Sequence, residues 1–195
     1  REAIAMGCDD AVLLTDRAFA GADTWATAYV LARAIERIGG YDLILCGERA
    51  TDGDTGQVGP NIAAALNIPL ATYVSGIESV DTGRGEMSVW RMTEHGYEQL
   101  LLPLPALLTV VKEISFPRLP TLRGKQRARA SEIPAWGAGD LGAEADKIGL
   151  KGSPTRVVKI ESPKVTRGGT VVKAADGPEQ AVDQLVAFLR GRDLV

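Results

Sequence analysis

Three short runs in this chain are apolar at nearly every consecutive position rather than at alternate ones. They are Ala11-Val12-Leu13-Leu14-Thr15, Tyr41-Asp42-Leu43-Ile44-Leu45-Cys46 and Ala106 to Val111. Strands apolar on both faces belong to a sheet covered on both sides, and that points to parallel strands under helices. Between the first two runs, Trp25, Tyr29, Ala32, Ile35 and Ile38 recur at helical spacing. Asp23 or Thr24 stands as N-cap and Gly39-Gly40 as the stop. After the second run comes a Gly- and Asp-rich loop, Gly47 to Gly59, and then a short helix over Asn61–Leu66. Strand, helix, strand, loop, helix predicts an α/β domain with a parallel, Rossmann-like sheet. The right-handed crossover rule places the helix at 24–38 on one face of that sheet.

The pattern changes after residue 69. Leu70–Ile77, Glu86–Thr93 and Tyr97–Leu102 read as strands, with turns at Asp81–Gly85 and at Glu94-His95-Gly96, and they predict a hairpin addition to the sheet. Lys112 to Pro154 is rich in Pro, Gly and charge, shows little periodicity and reads as an extended C-terminal arm. Arg156–Ile160 has the composition of an edge strand. Gly177–Arg190 predicts an amphipathic helix, with Ala181, Leu185, Phe188 and Leu189 on one face. At the other end, Arg1 to Gly7 reads as the last turns of a helix closed by a C-cap glycine, with an upstream part expected. The expected division is residues 1–111 as the α/β domain and 112–195 as the arm.

Composition removes several classes of function. The chain has 195 residues and a net charge of −3, which gives no general reason for binding nucleic acid. Two cysteines, Cys8 and Cys46, make no disulfide framework, and with His95 the only histidine a Cys/His zinc site is nearly excluded. No catalytic residue and no metal ligand set stands out. The longest apolar stretch, Leu100–Val111, is interrupted by Pro103, Pro105 and Thr109 and falls short of the roughly 20 residues a membrane helix needs. Nothing at the start resembles a signal peptide, so a cytoplasmic location is expected. The charge is uneven. Lys112–Arg129 holds six basic residues against one acid, a local +5, and leaves −8 on the remainder. Such a strip reads as a docking surface or as a solvated loop.

The segment Gly47–Pro60 is where chemistry is best placed, at the carboxyl end of a parallel strand. Asp54 or Thr55 is positioned to cap the following helix, and Asp54 with Gln57 has capping-box spacing. The N–H groups of Gly56, Gln57 and Val58 then point out of the helix start as an anion site, with the Thr55 hydroxyl as a further donor. Gly53, Gly56 and Gly59 permit close approach. Asp52 and Asp54 would repel a phosphate and are better suited to holding the loop or a ribose. Three alternatives stay open: a turn with no ligand, a metal–diphosphate enzyme using Asp52 and Asp54, and a nucleotide-sensing module without redox function. The loop Asp16–Thr24 follows the first strand and should emerge at the same end of the sheet. Its small residues leave room for a flat ligand, Arg17 is a candidate for an anion, and Asp23 serves equally as a plain helix cap. His95 reads as solvated, Cys46 as core, and Trp25 and Trp90 as packing.

Three blocks carry a resemblance to a known family: Ala5-Met6-Gly7; Tyr41 to Pro60 with Asp52-Gly53-Asp54-Thr55-Gly56-Gln57-Val58-Gly59-Pro60; and Val111–Ile114 through Pro117–Lys125. Together the sequence resembles the beta subunits of electron transfer flavoproteins along essentially its whole length. The resemblance implies an adenine-nucleotide-binding α/β domain paired with an alpha subunit, around which the C-terminal arm wraps. It implies a carrier of electrons between acyl-CoA or other flavin dehydrogenases and downstream acceptors, rather than a stand-alone enzyme. NADH-linked flavin reduction is possible where electrons are bifurcated. By the same resemblance Gly47, Asp52, Gly53, Asp54, Thr55, Gly56, Gln57, Val58 and Gly59 hold the phosphates of AMP or of a second FAD. Asp16, Ala22, Asp23, Thr24 and Thr27 lie in a block that looks like the FAD-holding, bifurcating type, which favours FAD. Pro117, Arg118, Leu119, Leu122, Arg123 and Lys125 look like a dehydrogenase-docking loop with Leu122 as its apolar anchor. Family members begin with a further stretch that bears a first strand and part of the adenine pocket, so those contacts are expected to be missing here.

Overall fold

The computed structural model describes residues 1–162, 169, 171, 172 and 177–194. These fall into two compact units, Arg1–Val157 and Val158–Val195. In the first unit the elements are α1 (Glu2–Met6), β1 (Leu13–Leu14), α2 (Thr24–Ile38), β2 (Leu43–Gly47), α3 (Val58–Leu66), β3 (Leu70–Asp81), β4 (Glu86–Thr93), β5 (Gly96–Pro103), β6 (Ala106–Val110), α4 (Leu122–Ala130) and β7 (Ala135–Trp136). The second unit carries α5 (Pro178–Arg190).

The main sheet has the order β2-β6-β3-β4-β5. Its first three strands are parallel: Leu45 pairs with Leu108, and Ala71 pairs with Leu108 from the other side. β3, β4 and β5 form the expected antiparallel addition, with Val89 opposite both Ile77 and Leu100. β6, which follows the meander, returns to the centre of the parallel part, and Ala106, Leu107, Leu108 and Thr109 are all buried there. That is why the run at 106–111 is continuously apolar. α3 and α2 cover one face of this sheet, where Ala28, Ile62, Ala63 and Leu107 make a core with Ile44 and Cys46 at its margin. The other face holds Val74, Met87, Val89, Leu102 and Leu108.

α2 is bounded as its caps predict. Asp23 accepts from the N–H groups of Trp25 and Ala26, and Gly39 ends the helix at φ 64°. Its buried side is not the predicted bulky stripe. Ala26, Ala28, Val30, Ala32 and Ala34 are buried, whereas Trp25 and Ile38 are 58% and 61% exposed. The reason is that α2 is enclosed on two sides. α3 and the sheet lie against one, and a layer containing Leu141 and Ile148 lies against the other. Small residues let both neighbours come close.

Three further expectations are corrected. The run Ala11–Thr15 is not a buried strand of the main sheet. Only Leu13–Leu14 is extended, and it pairs in parallel with Ala135–Trp136 as a separate two-stranded sheet. α2 therefore makes no crossover between neighbours in one sheet. β2 has a partner on one side only among the described strands, so Leu45 is 58% exposed on the face that the helices do not cover. Arg156–Ile160 forms no strand.

Within the stretch that lacked periodicity, Leu122–Ala130 is a helix. Ala128 is its only buried residue, so no apolar stripe marks it. α4 packs on α1 so closely that a Cβ on Gly124 would lie 2.2 Å from the carbonyl oxygen of Ala5. Arg127 donates to the carbonyls of Ile4 (2.9 Å) and Cys8 (2.7 Å), which closes the end of α1. Arg1 does the same for α4 through the carbonyls of Ala128, Arg129 and Ser131. Cations at helix C-termini are favourable on electrostatic grounds as well.

Candidate functional site

The loop between β2 and α3 begins with a tight turn, in which the N–H of Asp54 donates to the carbonyl of Ala50 at 2.9 Å. Asp54 itself is left-handed (φ 50°), and its carboxylate lies 3.2 Å from the Arg49 guanidinium. Asp54 is therefore drawn back toward Arg49 and does not cap the helix. Nor does Thr55: the N-cap of α3 is Gln57, with no side-chain cap bond. The helix starts at Val58, three residues before the predicted Asn61.

This earlier start leaves the expected donor set in place and extends it. The N–H of Asn61 opens the helix ladder by donating to Gln57 (3.0 Å), and Pro60 has no N–H to give. Among the described residues, the N–H groups of Thr55, Gly56, Gln57, Val58 and Gly59 donate to no carbonyl or side chain. Five successive uncommitted donors at a helix start are the electrostatic setting in which an anion is bound. The Arg49 pairing also neutralises one of the two carboxylates that would oppose an anion. Gly56 takes φ 61°, a conformation that costs any residue with a Cβ. Gly59 is needed for a different reason: its Cβ would sit 2.4 Å from Thr109 Cγ2, because α3 lies directly on β6. Asp52 and Gly53 are exposed at the tip of the turn, and Gly47 ends β2 beneath it.

The second loop meets the first. The Thr24 hydroxyl donates to the Gln57 side-chain oxygen at 2.8 Å, so the starts of α2 and α3 are tied at the same end of the molecule. Two of the residues assigned to this loop are occupied by structure. Asp16 caps the turn Arg17–Phe19 by accepting from Ala18 N–H, and it also accepts from Ala138 N–H (2.9 Å). These hydrogen bonds hold its carboxyl below the usual range. Asp23 accepts from Trp25 and Ala26, and with its other oxygen from the N–H and hydroxyl of Thr155 (2.9 and 2.8 Å). Burial alone would raise the Asp23 carboxyl, but the bonds from Thr155, Ala26 and Trp25 outweigh it and hold the group below its ordinary value. Ala22 and Thr27 are half-buried beside it. Arg17 is exposed.

Sequence reasoning missed two residues at this site. Arg49 pairs with Asp54 and Glu48, and only the folded turn shows it. Tyr73 sits at a register shift of β3 with φ 54°, and its hydroxyl reaches within 3.9 Å of the point a Gly56 Cβ would occupy. No local signal marks Tyr73, since the bulge exists only in the pairing with β6. Trp25, read as packing, is instead exposed on the first turn of α2 next to Thr24, because the buried side of that turn is taken by Ala26 and Ala28. Trp90 is 37% exposed and donates its indole N–H to Glu78 at 2.9 Å. Cys46 is half-buried against the Ile62–Leu107 core, as expected of a packing residue, and burial pushes its thiol up. His95 is exposed in the β4–β5 turn.

The residues expected to dock a partner lie in another layer, beside α1. Pro117, Arg118 and Leu119 lie outside any helix or strand, while Leu122, Arg123 and Lys125 fall in the first turn of α4, capped by Thr121, which accepts from Gly124 N–H at 3.0 Å. Leu119 and Leu122 are more than four-fifths exposed. Among the described residues no three His, Cys, Asp or Glu side chains are grouped to hold a metal ion, and no helix is long and apolar enough to cross a membrane.

Comparison with known proteins adds a family. The sequence pattern of the electron transfer flavoprotein domain matches residues 1–141. The chain is 45% identical over 196 residues to an electron transfer flavoprotein subunit beta of Thermoanaerobacterium thermosaccharolyticum, covering 100% of this chain and 73% of that one. It is 44% identical to the subunit beta of Megasphaera elsdenii, with 100% and 74% covered. It is 42% identical to the caffeyl-CoA reductase-Etf complex subunit CarD of Acetobacterium woodii, with 100% and 73% covered.

Proposed function

This chain belongs to the electron transfer flavoprotein family, on the beta-subunit side, and from that premise we propose that the turn at Asp52–Gly59 holds the phosphates of an adenine nucleotide, FAD rather than AMP. Electron transfer is the role of the family, and a flavin or adenine nucleotide and an alpha subunit go with it. The observation that carries the proposal is the row of uncommitted N–H groups from Thr55 to Gly59, joined to the start of α2 by the Thr24–Gln57 bond. A bound phosphate there accepts from the backbone of 55–59 and from the Thr55 hydroxyl. Gly56 and Gly59 keep side chains out of its way. Bound flavin supplies the redox chemistry; the chain's part is to bind, orient and surround it.

FAD is favoured over AMP because two loops converge where a monophosphate needs only one. Beside Thr24 the second loop offers Ala18, Ala20, Gly21 and Ala22, and the exposed indole of Trp25 stands on the adjoining turn. Asp16 and Asp23 serve this site from behind, by fixing the loop. In functional terms residues 1–111 hold the nucleotide, and residues 112–195 carry the docking strip and the arm that engages the alpha subunit. The strip Pro117–Lys125, with Leu122 as its apolar anchor, meets flavin dehydrogenases. The readings of Asp52 and Asp54 as metal ligands, and of the domain as a non-redox sensor, are not favoured. Asp54 is paired with Arg49, and the family is one of electron carriers.

The test is to purify the chain with its alpha partner, denature the complex and count released FAD against AMP by chromatography. A second FAD per heterodimer and no AMP is expected. Stoichiometric AMP overturns the choice of FAD, and the absence of any adenine nucleotide at this subunit overturns the site itself.

A further inference from the structure

β3 changes face part-way along its length. Ala71 and Val74 are three residues apart, which would put them on opposite faces of an unbroken strand. Both nevertheless lie in the same buried core, beside Leu108. The pairing explains this: Ala71 stands opposite Leu108 and Val74 opposite Val110, so β3 takes three steps where β6 takes two. The extra residue makes a bulge at Thr72–Tyr73, and Tyr73 takes φ 54°, a conformation uncommon for a bulky residue. The bulge is held from inside. Thr109, a polar side chain buried in the sheet, accepts from the Tyr73 N–H at 3.2 Å. The same Thr109 turns its Cγ2 toward Gly59, so one buried side chain touches both the bulge and the first turn of α3. What the bulge decides is the direction of one ring. Tyr73 belongs to the core of neither face of the sheet and is 40% exposed. Its hydroxyl lies 3.9 Å from the point a Cβ on Gly56 would occupy, and Gly56 is one of the residues whose N–H is uncommitted. Among the described residues that hydroxyl makes no hydrogen bond.

We infer that Tyr73 is a binding residue of the nucleotide site: its hydroxyl donates to the phosphate that the N–H groups of residues 55–59 hold, and Thr109 is the positioning residue that fixes it there. The inference rests on the nucleotide reading and deepens it, by adding a side chain from the sheet to a site built mostly of backbone. A hydroxyl that donates to a charged oxygen makes one of the stronger hydrogen bonds. A bulge is a means of re-aiming a side chain beside a site, and a bulky residue kept at positive φ is the kind of constraint that a ligand contact explains. Because Thr109 fixes the backbone at the bulge, the hydroxyl is in place before the ligand arrives. The consequence is selectivity for a phosphorylated nucleoside, since adenosine gains nothing from this donor.

The experiment takes the intact complex with the alpha subunit, freed of nucleotide by a chaotropic salt, and titrates it calorimetrically with AMP and, separately, with adenosine. Only this subunit is altered, so a change between variants belongs to its site. Tyr73→Phe keeps the ring and removes the donor. It should bind AMP about tenfold more weakly, which corresponds to about 1.4 kcal/mol, and bind adenosine as the wild type does. Its nucleotide-free thermal midpoint should not move, because the hydroxyl bonds to nothing in the fold. Thr109→Val, which deletes the acceptor, should weaken AMP more than adenosine, and Thr109→Ser, which keeps it, should restore the wild-type ratio. Unchanged AMP affinity in Tyr73→Phe overturns the proposal. So does an equal loss of AMP and adenosine, which would give Tyr73 a packing role only. A wild-type complex that takes up no adenine nucleotide overturns the phosphate site and this role together, whereas wild-type uptake with an indifferent Tyr73→Phe overturns this role alone.

Discussion

Asp23 commits both carboxylate oxygens to holding the chain together, one to the first turn of α2 and the other to Thr155. Its titration therefore enters stability with a definite sign. The folded carboxyl is lowered below 3.8, so its contribution is fully present above that value and is lost as pH falls through the lower folded one. Asp16 acts in the same direction through Ala18 and Ala138. Asp23→Asn keeps the cap oxygen but does not titrate. Its thermal midpoint should fall less steeply than that of the wild type as the pH is taken below about 4; parallel curves would remove Asp23 from the acid response. Asp23→Ala, which deletes the cap, should cost about 1 kcal/mol at neutral pH in a denaturant titration. The cap on Trp25 and Ala26 was legible in the sequence, because Asp before a helical period is a local signal. The Thr155 bonds were not, since they join residues 132 apart.

Among the elements, two helices are seated by glycines that permit backbone contact. Gly59 lets α3 lie on β6 against Thr109, and Gly124 lets α4 lie on the carbonyl of Ala5. Neither contact has room for a methyl group. Gly59→Ala should therefore lift α3 from the sheet, lower stability by about 1–3 kcal/mol and release nucleotide from the complex. Gly124→Ala, measured in parallel, should lower stability without altering nucleotide content. Equal nucleotide loss in both would show that the Gly59 effect is general and not local to the site. Gly59 was identifiable from its place in the 53–56–59 spacing. Gly124 was not, because α4 itself has no apolar stripe: a helix with a single buried residue leaves no period to read. The opposite holds at Leu13 and Leu45, where an apolar run implies burial that the pairing does not provide. Burial on both faces requires neighbours, and the sequence of a strand does not say whether it is central or at an edge.

At the scale of the whole molecule, the proposed nucleotide contacts and the proposed partner contacts belong to separate layers. The first lie at the starts of α2 and α3, and the second on α4 beside α1. A substitution in one layer should leave the other intact. Leu122→Ala is expected to slow electron transfer between the complex and a flavin dehydrogenase severalfold in a stopped-flow assay, with the flavin spectrum and content unchanged. Concurrent loss of flavin would show that the layers are coupled. The basic strip adds a salt dependence, and docking rates should fall as ionic strength rises and the charges are screened.

From its sequence alone this chain determined what is local: the caps and length of α2, the β3–β4–β5 meander with its turns, the continuous apolarity of the central β6, and the glycine-rich turn that belongs at the end of β2. Each follows from steric preference, hydrogen-bond chemistry or periodicity within about a dozen residues. The tertiary structure decided which strand is central, that Leu13–Leu14 pairs with Ala135–Trp136 outside the main sheet, that Asp54 turns to Arg49 instead of capping α3, and that Thr24 and Gln57 meet. Those outcomes depend on contacts between residues far apart in the chain. Their free energies are those of whole packed layers, and no short stretch of sequence carries them.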